Sequence, residues 1–177
     1  MWAPYDEATY QVVLASINPG EIVLEIGAGD LRLARRIAEI SKLVYAIEIQ
    51  QPLLDQATAA QNGELPDNLV VLHGDARELP FPQDLTSAVL LMRHCSHFRL
   101  YANKLRAAGC QRLVTNARWR LGTEVIQLNA PRILYQDLPI GWFACWCGSA
   151  GFKPGHVDEL TPVVAVKYHE VINCPQC

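Results

Sequence analysis

Ile22-Val23-Leu24-Glu25-Ile26-Gly27-Ala28-Gly29 is a short apolar run with β-branched residues that passes straight into a glycine turn. Such a run suits a buried strand. Glycine at the carboxyl end of that strand lets a ligand approach the backbone where a Cβ would obstruct it. Upstream, Tyr10, Val13, Leu14 and Ile17 recur at helical spacing within residues 5–17, and Asn18-Pro19-Gly20 stops that helix. Downstream, Asp30 is placed to cap a second helix with Leu33, Ile37 and Ile40 on its inner face.

The alternation continues along the chain. Strands are expected at residues 43–49, 69–72, 85–92 and 111–115. Helices are expected at 52–61, with Pro52 near its first turn and Asn62-Gly63 as its stop, and at about 97–107. Strands separated by helical stretches predict an α/β fold, a doubly wound and mainly parallel sheet with helices on both faces. After Asn116 the pattern loosens. Residues 124–128 offer one more strand, and the last fifty residues do not read as further strand–helix units. The expected organisation is a domain over residues 1–132 and a cysteine-rich extension over 133–177, an irregular tail packed on the same domain.

In open parallel sheets, ligands sit outside the carboxyl ends of the strands where the strand order reverses. Four features fall at such ends. The glycine turn is the first, and alone it is shared with several kinds of nucleotide-binding protein. Glu48 closes Val44-Tyr45-Ala46-Ile47-Glu48, about 20 residues past the glycines, where a carboxylate can accept hydrogen bonds from both hydroxyls of a ribose. Gly74-Asp75-Ala76 follows the third strand, and Asp75 can accept from an adenine amino group. It can equally be a plain turn residue. Arg93-His94-Cys95-Ser96-His97 follows the fourth strand, where a substrate-facing loop lies. His94 and His97 are the candidate general bases, because imidazole titrates near neutrality. The alternative is two loop or helix-start histidines.

Together these features resemble the class I methyltransferases that use S-adenosylmethionine (SAM). The resemblance runs from Ile22 to His97, a little under half the chain. Residues 23–29 with 44–49 look like the rRNA adenine dimethylase group. Gly74-Asp75-Ala76-Arg77-Glu78-Leu79-Pro80-Phe81-Pro82 looks more like the small-molecule methyltransferases of quinone and sterol pathways. By this resemblance Gly27 and Gly29 contact the methionine part of SAM, Glu48 the ribose and Asp75 the adenine. The candidate cofactor set is Glu25, Gly27, Ala28, Gly29, Glu48, Ile49, Asp75, Ala76 and Arg93. Three departures stand out. Leu31 occupies the place of a frequent third glycine. Gln50 stands where the dimethylases usually have Asp. Leu91-Met92-Arg93-His94-Cys95 replaces their Asn/Asp-Pro-Pro-Tyr or Asn-Leu-Pro-Tyr motif, which argues against N6-adenine chemistry. A nicotinamide cofactor is disfavoured, since Arg32 sits where a full Gly-x-Gly-x-x-Gly needs its last glycine.

The 177 residues carry a net charge of −3, unevenly spread. Residues 1–92 hold 13 acidic against 5 basic side chains, and residues 93–132 hold 8 basic against 1 acidic. The latter stretch is a candidate basic face for an anionic acceptor such as RNA, or simply charge scattered over solvated helices. No apolar run approaches the roughly 20 residues that span a bilayer. The start, Met1-Trp2-Ala3-Pro4-Tyr5-Asp6-Glu7, lacks the basic and apolar regions of a signal peptide, so no membrane partner and a cytoplasmic chain are expected.

Cys145-Trp146-Cys147-Gly148 and Cys174-Pro175-Gln176-Cys177 form two short-spaced pairs. Four thiolates in a tetrahedron make a structural zinc site, closed to substrate. Gly148 and Pro175 suit the tight turns required, and His156 and His169 are possible substitutes. Free thiols or disulfides are the alternatives. Trp142, Phe143, Trp146 and Phe152 are expected to pack around the metal, or else to stack on nucleic-acid bases. Two functions stand side by side: a SAM-dependent methyltransferase of undefined acceptor, RNA or small molecule, and a non-catalytic SAM-binding module held by zinc.

Overall fold

Asp6 accepts the backbone N–H of Thr9 at 2.8 Å and so starts the first helix, Glu7–Ala15 (α1). The computed structural model, which describes residues 3–59, 64–118 and 122–177, continues as β1 Ile22–Ile26, α2 Arg32–Ala38, β2 Leu43–Glu48, α3 Gln51–Ala59 and β3 Leu69–His73. It proceeds through β4 Ser87–Leu90, α4 Phe98–Ala107, β5 Arg112–Thr115 and β6 Glu124–Gln127. Each expected strand and helix up to residue 128 is present, with its described ends within two residues of those expected. The Asn62-Gly63 stop, with residues 60 and 61 of the expected helix, lies outside the described residues.

These six strands form one sheet in the order β3-β2-β1-β4-β5-β6, with β1 to β5 parallel and β6 antiparallel to β5. The chain builds outward from β1 to β3 and then crosses back to β4. The strand order therefore reverses between β1 and β4, and the crevice opens at their carboxyl ends. Alternate side chains of each strand enter opposite cores. Val23, Val44, Val89 and Val114 pack against Val13 of α1, Leu33 and Ile37 of α2 and Leu54 of α3. Leu24, Ile26, Leu90 and Leu113 pack against Phe98, Ala102 and Leu105 of α4. A sheet buried on both faces explains why β1 and β4 are nearly continuous apolar runs, broken only by Glu25 and Ser87.

Asp30 does not cap α2. The residue at that position is Leu31, in the left-handed conformation with φ 63° and almost wholly buried. Asp30 instead accepts the Arg32 backbone N–H at 3.3 Å and clasps its guanidinium. The left-handed turn accounts for the glycine frequent at this place, and a leucine there costs about 1–2 kcal/mol of backbone strain. Its burial against the α1–α2 core offsets that cost.

The C-terminal tail is more regular than its sequence suggests. Strands β7 Ile133–Leu134, β8 Gly141–Cys145, β9 Ala150–Lys153 and β10 Tyr168–Ile172, with a short helix α5 Pro162–Val166, make a second sheet ordered β7-β10-β8-β9. β8 and β9 are an antiparallel hairpin, and β10 runs parallel to both its neighbours. Strands of two to five residues carrying Gly141 and Gly151 leave too little periodicity to read. Trp146 and Ile172 join the α4-side core of the main sheet, so the two sheets share packing. Among the described residues no helix is long and apolar enough to cross a membrane.

Candidate active site and metal centre

A cavity of about 330 Å³ opens where the strand order reverses, lined by Glu25, Gly27 and Ala28 after β1, Glu48 to Gln50 after β2, Leu91 to Arg93 after β4, and Tyr5 and Tyr10. The glycine turn is pinned across the sheet, because the N–H groups of Gly27 and Ala28 donate to Ile47 O at 2.9 and 3.0 Å. Gly27 has φ 77°, and a Cβ there would sit 3.4 Å from Met92 Cε. Glycine is thus favoured by the backbone conformation, while the space beside it would take a Cβ in ordinary contact with Met92.

Glu48 is the most constrained acid of the cavity. Its carboxylate accepts the Gly29 N–H at 2.8 Å, the Ile49 N–H at 3.0 Å and the Gln50 N–H at 2.8 Å. Three backbone donors fix its orientation, two on Oε1 and one on Oε2, which leaves one acceptor site on Oε2. Ile49, 55% exposed, offers an apolar surface beside it.

Glu25 is 5% exposed and lines the same cavity, and its Oε2 has no hydrogen-bond partner among the described residues. Burial, with the carboxylates of Asp30 and Glu48 nearby, raises its pKa well above the ordinary glutamate range. The folded chain therefore keeps a proton that the unfolded chain releases, so stability falls as pH rises above the ordinary carboxyl value of 4.5 toward the folded one. Glu25→Gln should match the native protein in urea unfolding at pH 4 and be more stable at pH 8. Equal midpoints at pH 8 would contradict the unpaired buried carboxyl.

The third strand end lies beside this cavity. Gly74 N–H donates to Glu48 O at 2.9 Å, which fastens the turn to β2. Asp75 accepts the Arg77 backbone N–H and guanidinium at 2.5 to 3.0 Å, and these bonds hold its pKa down to about 2. It is not among the residues lining the cavity, and neither is Ala76, which is buried in the α4-side core. Arg93 does line it, with its N–H on the Tyr5 hydroxyl at 3.2 Å and its guanidinium 5.6 Å from the Tyr5 ring centre. Sequence reasoning missed Tyr5 and Tyr10 as cavity residues. Helical spacing marks Tyr10 as inward but does not say that its end of the core opens to a ligand.

His94 and His97 are not brought into the cavity. His94 takes a left-handed turn, φ 59°, and faces the other side of the loop. His97 precedes α4 and meets Tyr101 edge-on at 6.4 Å. The basic stretch 93–132 is largely consumed inside the molecule. Arg112 pairs with Glu21, Lys104 Nζ is bound by the carbonyls of Ala76, Arg77 and Leu79, Arg118 is buried, and Arg132 stacks 3.9 Å from the Trp146 ring centre. Arg93, Arg99 and Arg106 remain exposed, and Arg120 lies outside the described residues.

The two cysteine pairs converge. Cys145 ends β8, Cys147 sits in the β8–β9 turn, and Cys174 and Cys177 follow β10. All four Sγ atoms lie within 4.8 Å of one another, with Cys145–Cys177 at 3.5 Å, Cys147–Cys174 at 3.6 Å and Cys174–Cys177 at 3.8 Å. Bonds of about 2.3 Å from zinc to four sulfurs give tetrahedral edges of about 3.8 Å. The donors thus stand where a zinc tetrahedron needs them, as free thiols and not disulfides. Burial pushes the Cys145 thiol up, whereas hydrogen bonds from Ser149 overcome burial at Cys147 and bring it down to about 7. Four thiolates this close need a cation to coexist. His156 and His169 are not in the cluster. Of the four aromatics expected around it, Phe143 packs there with Leu138 and Val171. Trp146 belongs to the main core, and Trp142 pairs with Phe152 at 5.2 Å across the hairpin.

A family model described as a methyltransferase domain matches residues 23–116, just over half the chain. The chain belongs to the methyltransferase domain family. A probable ribosomal RNA small subunit methyltransferase A of Methanosarcina acetivorans is 35% identical over 72 residues, 41% of this chain and 26% of that protein. An uncharacterized methyltransferase of Geobacillus is 31% identical over 86 residues, 44% of this chain and 38% of that protein. The methyltransferase chain thus spans about a quarter to two-fifths of these curated relatives. Among solved structures, a dimethyladenosine transferase from Plasmodium falciparum superposes with a TM-score of 0.52 at 23% identity, over 62% of this chain and 41% of that one. That likeness establishes the class I fold.

Proposed function

We propose that this chain binds SAM in the cavity at the β1–β4 crevice and transfers its methyl group to RNA. Glu48 carries the reading: a buried carboxylate, fixed by three backbone N–H groups beside the glycine turn, keeps one acceptor site on Oε2. A ribose hydroxyl is the donor such an acid takes. Gly27 leaves the backbone open to the methionine part, Ile49 offers an apolar face to the adenine, and Asp75 is the expected partner of its amino group. The unpartnered Glu25 suits the positively charged end of SAM, which is also why a buried acid is retained there.

When bound, SAM supplies a methyl group on sulfonium: a lone pair of the acceptor forms the new bond to carbon, the C–S electron pair leaves onto sulfur to give S-adenosylhomocysteine (SAH), and the acceptor gives up a proton. The chain's part is chiefly positioning. Leu91 to Arg93 wall the cavity on the β4 side, and Tyr5 and Tyr10 restrict water from the α1 side. RNA is favoured as acceptor by the named activity of the archaeal relative and by the exposed Arg93, Arg99 and Arg106. The four cysteines would hold one zinc ion, which offsets half of their charge and staples β8 to β10.

Transfer of labelled methyl from SAM into total RNA tests this. Native protein should label RNA, and Glu48→Ala should lose about 10- to 100-fold, the worth of hydrogen bonds to a charged group. Label entering small-molecule pools and never RNA would overturn the acceptor assignment. SAM binding without any transfer would favour a binding module over an enzyme.

A further inference from the structure

A second cavity, of about 640 Å³, opens between α1, α2 and the end of α3. It meets the cofactor cavity at Tyr5, Tyr10 and Arg32, which line both. Arg35 and Arg36 follow Arg32 on the same face of α2, and all three line this cleft together with Glu7 and Asp30. We propose that the cleft holds a phosphate of the RNA that accepts the methyl group. The proposal rests on the methyltransferase reading above.

The charge favours an anion. Three guanidiniums meet two carboxylates, a surplus of one positive charge, and Glu39 beyond the end of α2 is not among the lining residues. The surplus stands in an acidic part of the chain. Residues 1–92 hold five basic side chains, and three of those five are in this cleft.

Arg32 and Arg36 are paired with Asp30 and Glu7. Arg35 is held differently. Its Nη1 donates to Glu64 O at 3.0 Å and its Nη2 to Ala57 O at 3.3 Å, and it has no carboxylate partner among the described residues. Two carbonyls fix the guanidinium without cancelling its charge. A fixed fork of N–H donors is the group that a phosphate takes in bidentate fashion. Arg36 is steadied beside it, with two bonds to Glu7 at 2.7 and 2.9 Å and its guanidinium 5.9 Å from the Tyr10 ring centre. Glu7 is exposed, and an exposed ion pair holds its partners weakly, so a phosphate can share Arg36 with it.

Tyr5 links the cleft to a fourth guanidinium. Its hydroxyl accepts the Arg93 N–H at 3.2 Å, and the Arg93 guanidinium lies 5.6 Å from its ring centre. Arg93 lines the cofactor cavity. An RNA strand with one phosphate on Arg35 and a later one on Arg93 therefore passes over the mouth of that cavity, where the methyl group is presented.

The test uses the full zinc-loaded chain with SAM bound and a labelled single-stranded RNA of mixed sequence, about ten nucleotides long. Binding is followed by fluorescence anisotropy between about 50 and 200 mM salt. Arg35→Gln should weaken RNA binding about tenfold at the lower salt, the worth of a hydrogen bond to a charged group. It should also flatten the slope of log K against log salt by about 0.7, the share of one single-strand phosphate. Glu7→Gln removes a competing carboxylate and should tighten binding by about two- to fivefold. A purely structural role for these side chains would weaken binding in both variants. SAM affinity should stay at the native value in each. Lys42→Gln, at the amino end of β2, should change RNA affinity by less than about twofold. RNA binding indifferent to Arg35→Gln and Glu7→Gln would overturn the cleft as the phosphate site, as would an equal loss in Lys42→Gln. A chain that binds no RNA but binds adenosine monophosphate through Arg35 would overturn RNA as the source of the phosphate. Absence of SAM binding by the native chain would overturn the methyltransferase reading itself, whatever the cleft binds.

Discussion

Cys174→Ser should release the metal and unfold the C-terminal sheet while the six-stranded sheet persists. Cys145 and Cys174 are buried among Leu138, Phe143 and Val171, so the cluster is the centre of the small core that β8 and β10 enclose. That core is otherwise thin, with Val157, Leu160, Val163 and Val166 exposed beside it. Zinc bound by such ligand sets contributes about 10–16 kcal/mol of apparent binding free energy in small domains, most of it felt as folding. Losing even about a third of that should lower the unfolding midpoint by more than about 10 °C, given roughly 2–4 °C per kcal/mol for a chain of this size. Hydrogen exchange should accelerate in residues 141–145 and 168–172 and little in 22–26. Purified native protein should carry close to one zinc per chain. Less than about half an equivalent, with all four thiols titrating freely, would refute the site.

The second large effect lies at Arg118. Its side chain is fully buried directly after β5, with Nε and Nη2 on Glu124 of β6 at 2.7 and 2.5 Å and Nη1 and Nη2 on Glu170 of β10 at 3.0 and 2.7 Å. One guanidinium therefore joins the edge of the main sheet to the central strand of the second. Burial opposes its charge, but the two carboxylates outweigh that and hold its pKa above the ordinary arginine value. Arg118→Met leaves two acids facing each other without their cation and should cost about 3–5 kcal/mol, the range for breaking a buried ion pair from one side. The triple variant Arg118→Met, Glu124→Gln, Glu170→Gln should recover part of this, since of the group only Arg132, whose Nε lies 3.6 Å from Glu170, is then left without its carboxylate. Denaturant midpoints of the two variants decide it. A single variant as stable as native protein would show that the two sheets are joined by other contacts.

The sheet that carries the cofactor cavity was legible because β1, β2 and β4 are nearly continuous apolar runs ending in residues with a definite chemistry. Gly27, Gly29 and Glu48 could be placed from spacing alone, since a strand end followed by a glycine turn leaves little choice of geometry. Leu31 could not, because a left-handed leucine becomes tolerable only through burial that tertiary packing supplies. The second sheet escaped notice for a related reason. Gly141 and the two-residue β7 carry no periodic pattern, and their pairing is set by β10 arriving from more than twenty residues away. The cysteine pairs announced a cluster without showing where it would dock, so Trp146 was assigned to the metal although it fills the main core. The basic stretch was visible as charge, but Arg112, Arg118 and Arg132 are spent on Glu21, Glu170 and the Trp146 ring.

Whether Glu48, Glu25 and the glycine turn form a SAM site can be settled by calorimetric titration of the folded, zinc-loaded chain with SAM and with SAH. Each should bind once per chain, and Glu48→Ala should abolish or greatly weaken both. Absence of binding by either ligand up to about 1 mM, where association is worth only about 4 kcal/mol, would contradict the assignment of this cavity.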